Sequence, residues 1–305
     1  MSRITFIGDL MDLKNYSPKG ILSASSVLSV EALPSTDILE ILSEALNLKK
    51  KSEFGESIQL KNTPSVALVT SNRIGASRLA FEVAASSIGA KAITLPIGGS
   101  NIDAFLSTPE CVKAIGKLGI SAFFVGTAMK KDAFTLSESL KSLSVINACT
   151  DDGPVVALAA LLTVYERIGR LSGIKACFLG NVSSHENLLF ALSKCGADIT
   201  VTSDDEEELF EKCKQYSDVA PIEDPFVAAA KADVIYVDST SDEYVLNEEI
   251  MAAAKDDCVI LHTVPLSAST DVAEKYIPRA EDSVADVIAN IMHVERAIIS
   301  LIAKK

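Results

Sequence analysis

The sequence has little positive charge and no long apolar run. Among 305 residues, 28 Lys and Arg face 41 Asp and Glu, so the formal net charge is −13. Such a surface repels nucleic-acid phosphates and anionic lipids, and we predict neither nucleic acid nor membrane as a partner. No segment approaches the roughly 18 apolar residues of a membrane span. The N-terminus is interrupted by Asp9 and Asp12 and lacks the apolar core of a signal peptide, so we expect a cytoplasmic protein.

Metal-binding and redox patterns are also scarce. The six cysteines include no Cys-x-x-Cys pair, and there are only three histidines and no tryptophan. Most cysteines lie in apolar or helical surroundings, which favours small buried hydrophobic residues in a reducing compartment. We therefore predict no metal and no cofactor. The cysteines are Cys111, Cys149, Cys177, Cys195, Cys213 and Cys258.

The sequence does contain short apolar runs that alternate with helical patterns through both halves of the chain. This alternation, in a chain longer than one ordinary core, predicts an α/β protein of two domains, each a parallel sheet flanked by helices. A mid-chain apolar helix is predicted to begin at Pro154 and to end near Gly169. A long closing helix is predicted over Ser283–Ile302. Ser35 or Thr36 is expected to cap an earlier helix, whose C-terminal end carries Lys49–Lys51.

In open α/β sheets, ligands bind beyond the carboxyl ends of the strands, where helices begin and offer free N–H groups. The loops in those places are the candidate binding regions. They are Thr70–Ser77, Gly126–Thr127, Thr150–Pro154, Gly180–Asn187, Asp238–Asp242 and His262–Pro265. The loop from Gly180 to His185 is not a GxGxxG pattern, so dinucleotide binding is not favoured.

Several cues occur in one order over about 250 residues. They are Arg78-Leu-Ala-Phe-Glu82, Val145-Ile-Asn-Ala148, Pro154, Tyr165-Glu166, the strand end at Gly180, Asp238, His262-x-x-Pro265, and Asn290 with His293. In this order they resemble the aspartate/ornithine carbamoyltransferase family. Tyr165-Glu-Arg-Ile-Gly169 and His262-Thr-Val-Pro265 are closer to the ornithine branch.

The resemblance implies a carbamoyltransferase-like fold. Residues 1–148, completed by helix 283–305, would form a carbamoyl-phosphate domain, and residues 149–282 a domain for the amino substrate. It also implies a homotrimer in which neighbouring chains share sites, so a mixed oligomer with a catalytic relative is a further expectation. The substrate-binding candidates that it supplies are Gly75, Ser77, Arg78, Thr127, Asp238, His262, Thr263 and Pro265.

The chain departs from the family pattern where carbamoyl phosphate would bind. The phosphate loop Ser-Thr-Arg-Thr-Arg falls on Ile74-Gly-Ala-Ser-Arg78, which keeps only Ser77 and Arg78 as polar ligands. The Arg of a later Arg-Thr pair falls on Gly126, and His-Pro-x-Gln falls on Gly153-Pro-Val-Val156. The Asn-Arg pair of the last helix becomes Asn290-Ile291. Each charged hydrogen bond that is lost removes roughly 1.5–3 kcal/mol of binding.

Three functions remain open. The leading hypothesis is a paralogue with an eroded carbamoyl-phosphate site, which lacks ordinary transcarbamylase activity and has a non-catalytic or regulatory role. One alternative is a transferase of altered specificity that uses Ser77, Asp238 and His262. The other is a true ornithine carbamoyltransferase with relocated ligands, for which Arg73 and Lys130-Lys131 are candidates.

Individual residues also have two interpretations. Arg78 is either a phosphate ligand or an ion-pair partner of Glu82 one helical turn later, and the structural role is favoured. His262 follows an apolar strand and is either a ligand or a residue at the edge of the core. Asp238 ends a strand and either binds an amine or caps a loop. His293, on an apolar helix, is expected to serve packing.

Overall fold

The computed structural model divides the chain into two compact units. The N-terminal unit consists of Ser17–Ala159 with Ile288–Lys305, and the C-terminal unit contains Ala160–Val287. Each unit has its own parallel sheet, which confirms the predicted α/β class. The structure describes residues 13–70, 75–96, 110, 114–115, 117–127, 130–148, 153–180, 182–202, 219–238, 244–262 and 271–304.

The sheet of the N-terminal unit has four parallel strands in the order β2-β1-β3-β4. They are β1 (Ser65–Thr70), β2 (Lys91–Pro96), β3 (Ile120–Gly126) and β4 (Ser144–Asn147). The described helices that begin in this unit are α1 (Ser35–Glu53), α2 (Gly75–Ser86), α3 (Lys130–Ser139) and α4 (Pro154–Ile168). The central strands β1 and β3 are apolar and buried along most of their length, as expected for parallel strands covered on both faces.

Alternate residues of the central strands pack on opposite faces of this sheet. Val69 and Val125 join Leu136 of α3 in one buried cluster. On the other face, the ring of Phe124 lies 5.0 Å from that of Phe81 in α2. The sheet therefore has an apolar layer on each side, and its polar residues are concentrated at strand ends.

The sheet of the C-terminal unit has five parallel strands in the order β7-β6-β5-β8-β9. They are β5 (Lys175–Gly180), β6 (Asp198–Thr202), β7 (Val219–Pro221), β8 (Val234–Asp238) and β9 (Val259–His262). The described helices are α5 (Glu186–Lys194), α6 (Pro225–Ala229), α7 (Glu248–Ala253) and α8 (Ile277–Ile302). Strand β7 is short and mostly exposed, and the sequence pattern did not predict it.

Of the four boundaries predicted for the mid-chain and closing helices, three agree with the structure and one does not. Helix α4 begins at Pro154, and Gly169 follows its end with a φ of +84°, as the sequence pattern predicts. Helix α8 begins at Ile277 rather than at Ser283, so that prediction was wrong by six residues. Pro278 is tolerated there because a residue of the first turn has no N–H partner within the helix.

The expected hydroxyl cap of α1 was also wrong. The helix begins at Ser35 after Pro34, and no side chain caps it. Its first-turn acid, Asp37, instead accepts hydrogen bonds from the backbone N–H groups of Ser23 and Ala24, at 2.9 and 2.7 Å. Asp37 therefore holds the preceding segment against the helix start. The lysines predicted for the last turn, Lys50 and Lys51, are in place.

The cysteines of the described residues behave as core residues. Cys177, Cys195 and Cys258 are free and buried, and burial raises the pKa of each thiol to about 12. This confirms their predicted role as small hydrophobic residues, whereas Cys111, Cys149 and Cys213 lie outside the described residues. Across the described part of the chain, no helix is long and apolar enough to cross a membrane.

Candidate functional site

The carboxyl edge of the N-terminal sheet carries the first group of predicted site residues. Strand β3 ends at Gly126, and Thr127 follows it with its side chain buried. Helix α2 begins at Gly75 and includes Ser77, whose side chain is not among those described. Arg73 lies outside the described residues. The N-terminus of α2 therefore lies close to where the family's phosphate loop would be, and such a loop binds phosphate through the free N–H groups of a helix start.

Arg78 is engaged within its own helix. Its Nε donates to Glu82 Oε1 at 2.9 Å, one turn later, and both side chains are about half exposed, at 54% and 42%. Thr94 of β2 donates to the same carboxylate oxygen at 3.0 Å. The hydrogen bonds from Arg78 and then Thr94 lower the pKa of Glu82. This geometry favours the structural role of Arg78.

The positions where the sequence departs from the carbamoyltransferase pattern are small or apolar in the structure. Gly126 and Gly153 are buried, and Val156 is half-buried in the first turn of α4. Ile291 is buried in α8. Its neighbour Asn290 is also buried and accepts a hydrogen bond from Lys49 Nζ at 3.1 Å.

The carboxyl edge of the C-terminal sheet is more polar. Asp238 ends strand β8, and its Oδ2 lies 2.7 Å from Nε2 of His185. His185 ends the short 3-10 turn Val182–His185 that follows β5 and leads into α5. The imidazole also packs on the ring of Tyr236, with 4.5 Å between centroids. Strand β8 and the loop after β5 therefore bring a histidine and a carboxylate together at this edge.

A second histidine–carboxylate pair follows the next strand. His262 ends β9, and its Nε2 lies 2.9 Å from Oδ1 and 3.0 Å from Oδ2 of Asp271. Both side chains are only 4% exposed. Val272, next to Asp271, belongs to the apolar cluster of this unit. His262 is thus held in the interior, while the predicted ligands Thr263 and Pro265 lie outside the described residues.

His293 also has a structural environment. Its Nδ1 accepts a hydrogen bond from Arg296 at 2.9 Å in the N-terminal unit. Burial, and then the charges of Arg296 and Lys49, lower its pKa to about 4, so the ring is neutral at pH 7. Among the described residues, no group of three or more His, Cys, Asp or Glu side chains could hold a metal ion.

Sequence reasoning selected Asp238 and His262 but missed their partners, His185 and Asp271. His185 is 53 residues from Asp238 along the chain, and only the parallel pairing of β5 with β8 brings the two regions together. The available signal was positional, because His185 falls in a loop at the carboxyl end of a predicted strand. The position of Asp271 in the sequence carried no such indication, because it lies nine residues after His262, the last residue of β9.

Comparison with known proteins identifies similar sequences and folds. Residues 172–302 match the family model described as aspartate/ornithine carbamoyltransferase, Asp/Orn binding domain. An ornithine carbamoyltransferase of Methanococcus aeolicus is 28% identical over 92% of this chain and 99% of its own length. That of Hyperthermus butylicus is 26% identical over 93% of this chain and 98% of its own. The solved structure of the Pyrococcus furiosus ornithine carbamoyltransferase covers 92% of this chain and 98% of its own, with a TM-score of 0.78 and 22% identity.

Proposed function

We propose that the chain is a member of the aspartate/ornithine carbamoyltransferase family and that it transfers the carbamoyl group of carbamoyl phosphate to ornithine, at an unusually low rate. The observation that carries this proposal is the similarity over almost the whole length of both chains. The Methanococcus relative is matched across 99% of its length, so no domain of that enzyme lacks a counterpart here.

In the proposed division of labour, the N-terminal unit binds carbamoyl phosphate and the C-terminal unit binds the amino substrate. The family model named for amino-substrate binding covers residues 172–302, which supports the second half of this assignment. It includes Asp238, a partly exposed carboxylate at a strand end and a suitable acceptor for an ammonium group.

The reacting side-chain amine of ornithine must be uncharged, whereas the α-ammonium group takes no part in bond formation. The side-chain nitrogen attacks the carbonyl carbon of carbamoyl phosphate, a carbon–nitrogen bond forms, and the carbon–oxygen bond to phosphate breaks. Phosphate leaves, and the nitrogen loses a proton to complete citrulline. The protein must neutralise the charge on the phosphate and orient the amine, because positioning and charge stabilisation lower the barrier.

The low rate follows from the need to neutralise the charge on the phosphate. Gly126, Val156 and Ile291 stand where the family pattern places charged or polar ligands. At roughly 1.5–3 kcal/mol for each charged hydrogen bond, losing three lowers catalytic efficiency by about three orders of magnitude or more. Arg73, Lys130 and Lys131 are the proposed substitute ligands.

The test is citrulline formation from carbamoyl phosphate and L-ornithine by the purified protein. We expect saturable, protein-dependent product at a turnover well below the range of roughly 1–1000 per second of ordinary enzymes. Carbamoylaspartate formation from L-aspartate, measured in parallel, should be absent. No citrulline above the blank without protein would overturn the proposal.

A second candidate function is a non-catalytic or regulatory member of the family. The specific observation in its favour is that four separate family motifs have lost polar ligands, while the cues of the fold remain. Under this hypothesis no citrulline forms, and carbamoyl phosphate at millimolar concentration does not raise the melting temperature. Product formation would exclude it.

We further propose that the protein forms a homotrimer. Leu79 and Val83 of α2 and Ile93 of the edge strand β2 leave apolar side chains exposed on the N-terminal unit, at 64%, 44% and 39%. Exposed apolar side chains on a helix and on the edge strand that it contacts are a common feature of subunit contacts. Light scattering coupled to size exclusion should give three times the 32.4 kDa chain mass. A mixed oligomer with a catalytic relative is tested by co-purification of the two chains.

A further inference from the structure

The pair His185–Asp238 places a histidine directly behind a candidate amine-binding carboxylate. Asp238 is in register with Gly180 of the neighbouring strand β5, after which the chain turns towards His185. Tyr236 lies two residues before Asp238 on the same strand, so both side chains emerge from the same face of the sheet. The imidazole contacts both of them.

The hydrogen bond defines which proton the imidazole carries. A carboxylate only accepts hydrogen bonds, so Nε2 of His185 must carry the hydrogen that it donates to Oδ2 of Asp238 at 2.7 Å. The aromatic contact with Tyr236 limits rotation of the ring about this bond. The histidine therefore fixes the orientation of the carboxylate.

The two partners differ in accessibility. The side chain of His185 is 5% exposed, whereas that of Asp238 is 26% exposed. Within the described residues, only Oδ2 of Asp238 has a hydrogen-bond donor, and Oδ1 has none. A ligand that approaches this edge can therefore reach the carboxylate and cannot readily reach the imidazole.

From this arrangement we propose that His185 is a positioning residue, which holds Asp238 so that Oδ1 accepts a hydrogen bond from the non-reacting α-ammonium group of the amino substrate. This inference rests on the proposed function, because it assigns ornithine to the C-terminal unit. It adds a residue that acts through Asp238 and does not itself touch the substrate. Hydrogen bonds to charged groups are strong when their geometry is fixed in advance, which is what the histidine provides.

The test compares His185→Phe with His185→Gln. Phenylalanine keeps a ring against Tyr236 but removes the donor, whereas glutamine retains an N–H donor on a side chain of similar reach. By isothermal titration with L-ornithine, we expect His185→Phe to bind about tenfold more weakly than the unmodified protein. His185→Gln should bind within about threefold of it. His293→Phe, the same change in the N-terminal unit, is the matched control and should leave ornithine affinity unchanged.

A merely structural role would give a different result. Loss of the positioning bond should raise KM for ornithine and leave KM for carbamoyl phosphate unchanged, whereas a general loss of folding would lower the active fraction for both. If His185→Phe does not fold, His185→Asn serves as the second test, because its shorter amide does not extend to Oδ2 of Asp238. Thermal unfolding of each variant identifies the folded ones.

The results distinguish a failure of the positioning role of His185 from a failure of the proposed function. Ornithine binding that His185→Phe and His185→Asn leave unchanged would overturn the positioning role while the proposed function stands. No ornithine binding by the unmodified protein would overturn the proposed function, and the positioning role with it. Equal weakening by the Phe and Gln variants would also contradict the role, because Gln retains the donor.

Discussion

The C-terminal sheet ends in two histidine–carboxylate pairs that share their chemistry and differ in their surroundings. Val237 is in register with His262, so Asp238, one residue later, projects from the opposite face of the sheet. In the pair His262–Asp271, both carboxylate oxygens lie within 3.0 Å of the ring nitrogen and both side chains are buried. In the pair His185–Asp238, one oxygen is engaged and the carboxylate is partly exposed. The two pairs contain the same residue types. Solvent exposure of the carboxylate therefore distinguishes Asp238, a candidate ligand, from Asp271, which has a structural role in the interior.

The largest expected effect comes from breaking the interior pair. Asp271→Ala removes the buried carboxylate that contacts His262, and removing one member of a buried pair costs about 3 kcal/mol or more in unfolding free energy. Asp238→Ala should cost about 1 kcal/mol or less, because water can solvate the partly exposed site. Urea denaturation of both variants measures the difference. Equal losses would show that the two pairs are structurally equivalent and would remove the contrast.

The contrast between the pairs also shows what the sequence could predict. The short apolar runs predicted most of the strands of both sheets, because the buried residues of such a strand are consecutive in the sequence. The edge strand β7, of only three mostly exposed residues, has no such pattern. Asp238 and His262 were candidates because the family resemblance includes them and because each lies at the carboxyl end of a predicted strand.

The partners of these two residues were not predictable in the same way. The contact between His185 and Asp238 depends on which strands are neighbours, and the order β5-β8-β9 is not written in any local pattern. The hydrogen bond from Arg78 to Glu82 was predictable, since both residues lie one turn apart on a single helix. Sequence spacing therefore determined contacts within an element and failed for contacts between elements.

A third carboxyl group, that of Glu295, is buried without a hydrogen-bond partner in the described part of the chain. It tests whether such a group destabilises the folded protein as the pH rises. Glu295 of α8 is fully buried, and neither of its oxygens has a hydrogen-bond partner among the described residues. Burial raises its pKa well above the usual range. Between the unfolded value of about 4.3 and the raised folded value, the unfolded chain is ionised while the folded protein keeps the proton. Stability is therefore lost as the pH rises, by about 1.4 kcal/mol for each pH unit in that window.

Glu295→Gln removes this titration. We expect the variant to gain stability relative to the unmodified protein as the pH increases from 5 to 8, with similar stability below pH 4. Urea denaturation at several pH values measures the difference, and Glu53→Gln, at the end of α1, is an exposed control. A difference that does not change with pH would mean that Glu295 is ionised in the folded protein.

The next prediction concerns catalytic efficiency and the polar residues that the N-terminal unit lacks. The carboxyl edge of the C-terminal sheet carries paired polar groups, whereas Gly153 and Val156, which follow the last strand of the N-terminal sheet in the sequence, stand where the family pattern has histidine and glutamine. Restoring both residues, as Gly153→His with Val156→Gln, should raise kcat/KM for carbamoyl phosphate by about 10- to 100-fold, because each adds a hydrogen bond to the substrate. Citrulline assays measure the gain. Val156→Leu, which adds volume without a polar group, is the control and should give no increase.

The smallest expected effect concerns the exposed pair Arg78–Glu82. Ion pairs on the surface contribute little, because water and salt screen them and two long side chains must be ordered. Arg78→Ala should change the unfolding free energy by at most about 0.5 kcal/mol and leave KM for carbamoyl phosphate within twofold of the unmodified value. Glu82→Gln frees the guanidinium instead of removing it, and it should be equally neutral if Arg78 has only a structural role. A tenfold rise in KM for Arg78→Ala would show that the guanidinium leaves Glu82 to bind phosphate, since a charged hydrogen bond to the substrate has about that value. In that case Arg78 would resemble Asp238, as a paired group at a sheet edge that is still available to a ligand.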